Sequence, residues 1–269
     1  MFDFLTNSFM QYALILGLAL GISAAFLSPF LVLNKQSMIA DGLSHVSFSG
    51  VIFGLLLFDQ PMFFAIPFAV MASLLITYLG QRKMIQHDAA IGVVSAFALA
   101  IGLITVSLST GFNRSIESLL VGSILTVSLT DVFISIGLLI LVFLFVFLFY
   151  RPLLSSTYDE TYAKFSRIKQ QLLRYGLSAL TAVFIVVGVR TVGMLLISAY
   201  VIFPALIASQ IAKSFRQTLL FGILLSALTV FIGLTLSYHL SIPTGSSIVV
   251  SYTLLLVVSM LTRRLFQSD

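Results

Sequence analysis

The fold of this chain is decided by the stretch Tyr12-Ala-Leu-Ile-Leu-Gly-Leu-Ala-Leu-Gly-Ile-Ser-Ala-Ala-Phe-Leu-Ser-Pro-Phe-Leu-Val-Leu33, which contains no charged residue. A helix needs roughly 20 mainly apolar residues to cross the hydrocarbon core of a bilayer. The whole chain continues this composition, since 59% of its 269 residues are hydrophobic and only 9% are charged. A soluble domain would carry roughly 25% charged residues. We therefore predict an all-α integral membrane protein embedded in the lipid bilayer.

Nine segments of the chain are long and apolar enough to span a membrane. They are Tyr12–Leu33, Ala40–Phe58, Met62–Gln81, Ala89–Ser109, Asp131–Tyr150, Leu172–Val189, Gly193–Ala212, Thr218–Tyr238 and Gly245–Leu261. A shorter apolar piece, Ile116–Ser128, is predicted to be a re-entrant helix. The prediction is a single transmembrane domain over residues 1–269, a polytopic bundle of about nine (eight to nine) transmembrane helices plus this short re-entrant helix.

The distribution of basic residues orients the bundle, because cytoplasmic loops are enriched in lysine and arginine. With the N-terminus outside and the C-terminus in the cytoplasm, all lysines and arginines except Arg114 and Arg190 lie on the cytoplasmic side. The sequence pI of about 9.6 then reflects membrane topology, and no nucleic-acid partner is predicted.

The most informative polar residues lie in the run Met38-Ile-Ala-Asp-Gly-Leu-Ser-His-Val-Ser-Phe-Ser-Gly50. Asp41 and His45 are four residues apart, which places them on one face of a helix. A charged side chain within a membrane costs several kcal/mol, so this face is expected to line protein or water and not lipid. If the segment is helical from Lys35 onward, a rise of 1.5 Å per residue puts His45 near the middle of the bilayer.

A stripe of polar residues is predicted on this face of the helix, and these residues are candidates for lining an ion path. It comprises Ser37, Asp41, Ser44, His45 and Ser49. One alternative makes Asp41 the N-cap of the helix, and another makes His45 a buried histidine that hydrogen-bonds to Asp41 or to a serine. The functional interpretation is a metal or proton site, since carboxylate and imidazole suit zinc or manganese better than copper(I). Two ligands are too few for a structural zinc site.

Two further residues are weaker candidates for the ion path. Glu117 is a carboxylate inside the predicted re-entrant piece, and His239 precedes the turn Ser241-Ile-Pro-Thr-Gly245 at the predicted outer mouth. His87 is interpreted as a solvated loop residue.

The longest cytoplasmic loop, about residues 151–175, contains the most polar segment of the chain. Thr157 or Ser156 is predicted to cap a short helix that begins near Asp159. This loop is either a solvated connection or a docking element for a cytoplasmic partner.

Several catalytic motifs are missing from the sequence. There is no Gly-x-x-x-x-Gly-Lys-[Ser/Thr] loop to hold nucleotide phosphates, no His-Glu-x-x-His and no Gly-x-Ser-x-Gly. Cysteine is absent as well, so neither a disulfide nor a thiolate metal site is available. The chain is therefore predicted to be a non-catalytic transport protein without a cofactor of its own, driven either by the ATP hydrolysis of a partner or by an ion gradient.

The chain resembles the permease subunits of bacterial ABC importers for zinc and manganese. The run from Asp41 to Gly50 is similar to the signature of that family, although the family often has Ala where Gly42 stands and Pro where Ser49 stands. Further similar motifs occur in order along the chain. They are Asp88-Ala-Ala-Ile-Gly-Val-Val94, Ser118-Leu-Leu-Val-Gly-Ser-Ile124, Tyr158-Asp-Glu-Thr-Tyr-Ala163, Val192-Gly-Met-Leu-Leu-Ile-Ser-Ala-Tyr-Val-Ile-Phe-Pro-Ala205 and Pro243-Thr-Gly245.

The resemblance implies a compact, type II-like importer in the bacterial plasma membrane, in which two permease copies enclose one central path. It also implies two cytoplasmic ATP-binding subunits that hydrolyse ATP and an extracellular metal-binding lipoprotein that delivers the ion. Asp41 and His45 of both copies would then form the metal site, and a coupling helix containing Asp159, Glu160, Tyr162 and Ala163 would contact the ATPase.

The leading prediction is zinc import, because the motifs look closest to the zinc branch of Gram-positive bacteria. Manganese import by the same family is the first alternative. The second alternative is a self-sufficient proton-coupled metal carrier, and the third is a membrane scaffold in which the Asp41–His45 pair is only structural.

Overall fold

The computed structural model describes residues 8–58, 61–82, 84–109 and 127–266, and every regular element within these ranges is a helix. The helices are α1 (Ser8–Leu33), α2 (Ile39–Phe58), α3 (Pro61–Gln81), α4 (His87–Leu108), α5 (Leu129–Leu148), α6 (Tyr150–Tyr158), α7 (Glu160–Phe165), α8 (Gln170–Val192), α9 (Met194–Ile211), α10 (Phe215–Leu240) and α11 (Thr244–Phe266).

Nine of these described helices, all except the short α6 and α7, are long and apolar enough to cross a membrane. They coincide with the nine predicted spans, with most ends displaced by no more than three residues. The all-helical membrane fold is therefore confirmed. The predicted re-entrant piece Ile116–Ser128 lies outside the described residues, apart from its last two positions.

The helices divide into two compact units, of which the first contains α1, α5, α9, α10 and α11. Its centre is a buried pair of tyrosines, Tyr200 and Tyr252, whose rings meet edge to face at 6.0 Å. The Tyr252 hydroxyl is 2.7 Å from the Ser226 hydroxyl, and the Tyr200 hydroxyl donates to the Gly17 carbonyl at 3.3 Å. These contacts join α1, α9, α10 and α11 through polar groups that lipid would leave unsatisfied.

The second unit contains α2, α3, α4, α6, α7 and α8. A chain of buried hydroxyl groups links α3 to α8: Thr77 donates to the Ser178 hydroxyl at 2.7 Å, and Ser178 donates to the Ser73 carbonyl at 2.9 Å. Nearer its start, α3 packs closely on α2, because Gly50 lies directly against Ala65. Small residues at such positions allow the backbones of membrane helices to approach each other.

The contact at Gly50 gives the first prediction. A Cβ atom added at Gly50 would lie 2.7 Å from the Cα atom of Ala65, so α2 and α3 would have to separate. We expect Gly50→Ala to destabilise the protein by about 1–3 kcal/mol, as is typical of overpacking, and to lower the thermal unfolding midpoint of the purified chain in detergent.

Gly92→Ala is the matched control in the same unit. Gly92 is an exposed residue of α4, and a Cβ atom there meets nothing within 4 Å. This substitution should be neutral, or stabilising by up to about 1 kcal/mol through helix propensity. Equal unfolding midpoints for the two variants would contradict the close α2–α3 contact.

Candidate functional site

Asp41 lies in the first turn of α2, two residues after the helix begins at Ile39. Helical hydrogen bonding already begins before Asp41. The amide of Ile39 donates to the Gln36 carbonyl and the amide of Gly42 to the Met38 carbonyl, both at 3.1 Å. The interpretation of Asp41 as the N-cap is therefore wrong. A carboxylate in the first turn is instead stabilised by the positive end of the helix dipole.

His45 follows one helical turn further along α2. The residues between Leu33 and Ile39 form turns and not a continuous helix, so His45 lies only about 9 Å from the start of α2. The expectation that it lies near mid-bilayer assumed an unbroken helix from Lys35, which the structure does not contain, and the depth of His45 in the bilayer stays a prediction. Ser37 belongs to the same turn, so it precedes the helix and is not on its face.

The side chains of Asp41 and His45 lie on an open face of α2, with exposed fractions of 53% and 33%. Asp41 Oδ2 and His45 Nε2 are 3.9 Å apart, which is too long for a hydrogen bond. The other ring nitrogen of His45, Nδ1, is buried and has no hydrogen-bond partner among the described residues. Within the described residues, the His45 side chain therefore hydrogen-bonds neither to Asp41 nor to a serine, as the alternative interpretation had expected.

The serines of the predicted stripe do not share this open face. Ser44 is fully buried and donates to the Ala40 carbonyl at 2.6 Å. Ser49 is also fully buried and donates to the carbonyl of Ala98 in α4 at 2.7 Å. Both hydroxyl groups therefore serve packing within the second unit, and the structure separates them from the exposed pair.

The orientation of the pair follows from the packing of α2 against α4. Gly102 of α4 lies on Ser49, where an added Cβ atom would be 3.2 Å from the Ser49 Cα atom. Gly42 similarly lies on Ile91 and near Ser95 of α4. The sequence contains one signal of this contact, the seven-residue spacing of Gly42 with Ser49 and of Ser95 with Gly102, since seven residues are two helical turns. The spacing indicates a face of small residues on each helix, but it does not identify α4 as the neighbour of α2.

Asp159 is the N-cap of the short helix α7. Its carboxylate oxygen accepts hydrogen bonds from the amides of Thr161 and Tyr162 at 2.8 and 2.9 Å. The predicted caps Ser156 and Thr157 are incorrect, because both lie inside α6, where their hydroxyl groups donate to backbone carbonyls.

The other predicted coupling residues differ sharply in exposure. Tyr162 is 58% exposed, and Phe165, which is not among the predicted residues, is 88% exposed. Ala163 is fully buried, so it can anchor α7 but offers little surface to a partner. Glu160 is the first residue of α7, and its side chain lies outside the described part of the structure.

The remaining candidates from the sequence are His239, Glu117 and His87. His239 is exposed near the end of α10 in the first unit, with its ring 5.5 Å from that of Tyr238. Glu117 lies outside the described residues. His87 is not a simply solvated loop residue, since it begins α4 and its ring lies on Gly80. No group of three or more His, Asp or Glu side chains able to hold a metal occurs within the described residues.

Comparison with known proteins gives consistent matches along the chain. The model of the ABC 3 transport family matches residues 6–263. The manganese import system permease protein ScaB of Streptococcus gordonii is 34% identical, covering 93% of this chain and 90% of ScaB. The manganese transport system membrane protein MntC of Halalkalibacterium halodurans is 29% identical, covering 91% of this chain and 84% of MntC.

A solved structure agrees with these sequence matches. The structure of PsaBC from Streptococcus pneumoniae in complex with Fab superposes with a TM-score of 0.83 at 30% identity, covering 96% of this chain and 93% of the matched chain. The family resemblance predicted from the motifs is confirmed, and the chain belongs to the ABC 3 transport family as a multi-pass membrane permease.

Proposed function

We propose that this chain is the permease subunit of an ATP-driven importer whose cargo is Mn²⁺. The observation that carries the proposal is the open Asp41–His45 pair on α2. Carboxylate oxygen and imidazole nitrogen are ligands that both manganese and zinc accept, so the pair alone leaves the metal undecided. The relatives named for manganese import favour that alternative over the zinc prediction.

The geometry of the pair suits a site that an arriving ion closes. Two donor atoms about 2.1 Å from one metal, at an angle between 90 and 110°, are roughly 3.0–3.4 Å apart. The observed separation is 3.9 Å, so a small side-chain rotation would bring both atoms to the ion. Their partial exposure leaves room for that rotation.

One copy of the chain supplies only two ligands, which are too few to hold the ion without further donors. We propose that a second copy of the chain contributes its own Asp41 and His45, so that four protein ligands meet on the axis of a homodimer. The N-terminus would lie outside and the C-terminus in the cytoplasm. An extracellular metal-binding lipoprotein would deliver the ion, and a separate cytoplasmic subunit would hydrolyse ATP.

The helix α7 is the proposed contact for that ATPase subunit. Its aromatic side chains Tyr162 and Phe165 are exposed although they are apolar or amphipathic, and exposed aromatic side chains are typical anchors of protein interfaces. Asp159 contributes indirectly by capping the helix, and Ala163 by packing beneath it.

The metal role predicts that Asp41→Ala and His45→Ala each reduce uptake of radioactive manganese by at least about tenfold, because losing even an outer-shell partner of a metal site costs 10–100-fold in affinity. Uptake would be measured in manganese-starved cells at matched membrane levels of the variants. Asp88→Ala is the matched control, since Asp88 is likewise an exposed carboxylate in the first turn of a membrane helix.

Unimpaired uptake by both variants would contradict the proposed site. The double variant Asp41→Asn with His45→Gln tests the scaffold alternative, because it preserves polarity and volume while removing the charge and the imidazole. Retained uptake by this variant would favour the scaffold.

Competition identifies the metal. Unlabelled Mn²⁺, Zn²⁺ and Fe²⁺ would each be added to the uptake of radioactive manganese, and stronger inhibition by Zn²⁺ than by Mn²⁺ would restore the zinc prediction.

A separate prediction concerns the energy source and distinguishes the ATP-driven importer from the proton-coupled carrier. Liposomes containing only this chain should not accumulate manganese when a pH gradient is imposed. Accumulation should appear when the ATPase subunit and ATP are added. Gradient-driven uptake without the ATPase would overturn the assignment to an ATP-driven importer.

If α7 contacts the ATPase subunit, the double variant Tyr162→Ala with Phe165→Ala should reduce co-purification of that subunit by about tenfold or more, because two anchors of the interface are removed. Asp159→Asn is the control, because an asparagine side chain also caps a helix. Normal co-purification of the double variant would show that the ATPase binds elsewhere.

A further inference from the structure

A cavity of about 410 Å³ opens in the second unit where α3 ends, α7 ends and α8 begins. Its wall contains three basic side chains, Arg82, Lys164 and Arg174. Two tyrosines and three glutamines complete the lining. None of the described residues that line the cavity is a carboxylate.

The chemistry of this lining selects an anion. Three positive charges converge on a small polar space, and the glutamine amides and tyrosine hydroxyls add neutral hydrogen-bond donors. The Nε2 atom of Gln81, which lines the cavity, is buried and has no partner among the described residues. A phosphate group accepts several such hydrogen bonds at once and matches the planar guanidinium of arginine.

An exposed stripe on α3 leads to the cavity from the apolar part of the helix. Met71, Leu75 and Tyr78 of α3 and Arg82, which directly follows α3, are all exposed and follow one another at spacings of four, three and four residues. The amide of Arg82 donates to the Tyr78 carbonyl at 3.1 Å, so Arg82 continues the helical turn and all four lie on one face. The stripe changes from aliphatic to aromatic to basic along the helix. The Arg82 guanidinium lies 5.7 Å from the centre of the Tyr78 ring.

This order of side chains corresponds to the order of groups in a phospholipid. Acyl chains would lie along Met71 and Leu75, the tyrosine would lie at the level of the headgroup, and the phosphate would enter the cavity. We propose that the cavity formed by α3, α7 and α8 is a binding site for the headgroup of an anionic phospholipid. Basic pockets between transmembrane helices on the cytoplasmic side bind such headgroups.

The site would connect the lipid to α7 directly, because Lys164 belongs to that helix. This connection is independent of the metal site, so the inference does not depend on the proposed cargo. The same phosphate chemistry also occurs in water-soluble phosphates, and the experiment is designed to separate the two sources.

Native mass spectrometry of the purified full-length chain, supplied with equal amounts of phosphatidylglycerol and phosphatidylcholine, tests the proposal. We expect preferential retention of phosphatidylglycerol. Neutralising Arg82, Lys164 and Arg174 to glutamine should weaken this retention by about fivefold for each charge removed. Phosphatidylcholine binding should not change, and the wild-type comparison requires no variant to fold.

The control variant removes three basic residues of the same unit that do not line the cavity: Arg151, Arg167 and Lys169, all exposed. The lipid site is supported if phosphatidylglycerol is lost only from the variant in which Arg82, Lys164 and Arg174 are changed to glutamine. Equal loss from both variants, or equal retention of the two lipids by the wild type, overturns it. Displacement of the lipid by glycerol 3-phosphate at an equal concentration would assign the cavity to a soluble phosphate and contradict the lipid proposal.

Discussion

The contact between Ser49 of α2 and Gly102 of α4 determines which side of α2 remains open. The Ser49 hydroxyl bonds to the Ala98 carbonyl, and the absence of a side chain at Gly102 brings α4 close to the α2 backbone. Gly42 repeats this close approach two turns earlier on the same side. With that side covered by α4 and another covered by α3, Asp41 and His45 are left on the uncovered sector. The metal-binding proposal therefore depends on small residues that never touch the ion.

The nine spans were predictable because the energetic rule behind them is local. An apolar run of about 20 residues has few stable alternatives to a membrane helix, so composition alone located all nine. The pair Asp41 and His45 was found for the same reason, since a costly residue in an apolar segment stands out in the sequence. Helical periodicity then placed the two residues on one face, as the structure has them.

The rest of the site was not predictable because it depends on neighbouring helices. Periodicity grouped Ser44 and Ser49 with the pair, but it contains no information about where α4 lies. A serine hydroxyl in an apolar helix can also donate to the carbonyl four residues earlier, as Ser44 does, so its presence does not require an aqueous path. The expected depth of His45 rested on a helix that continued through the segment between α1 and α2, and the structure has turns there instead.

The short helix α7 is held by hydrogen bonds at both of its ends. An isolated helix of fewer than about 12 residues is marginal in water, and α7 extends only from Glu160 to Phe165. The Asp159 carboxylate secures its first turn. At its end Arg167 has a positive φ of 54°, and the amide of Ile168 donates to the Ala163 carbonyl, which is the hydrogen bond that closes a Schellman motif. Because both ends and the buried Ala163 are fixed, a ligand bound at Lys164 would act on α7 as a rigid unit.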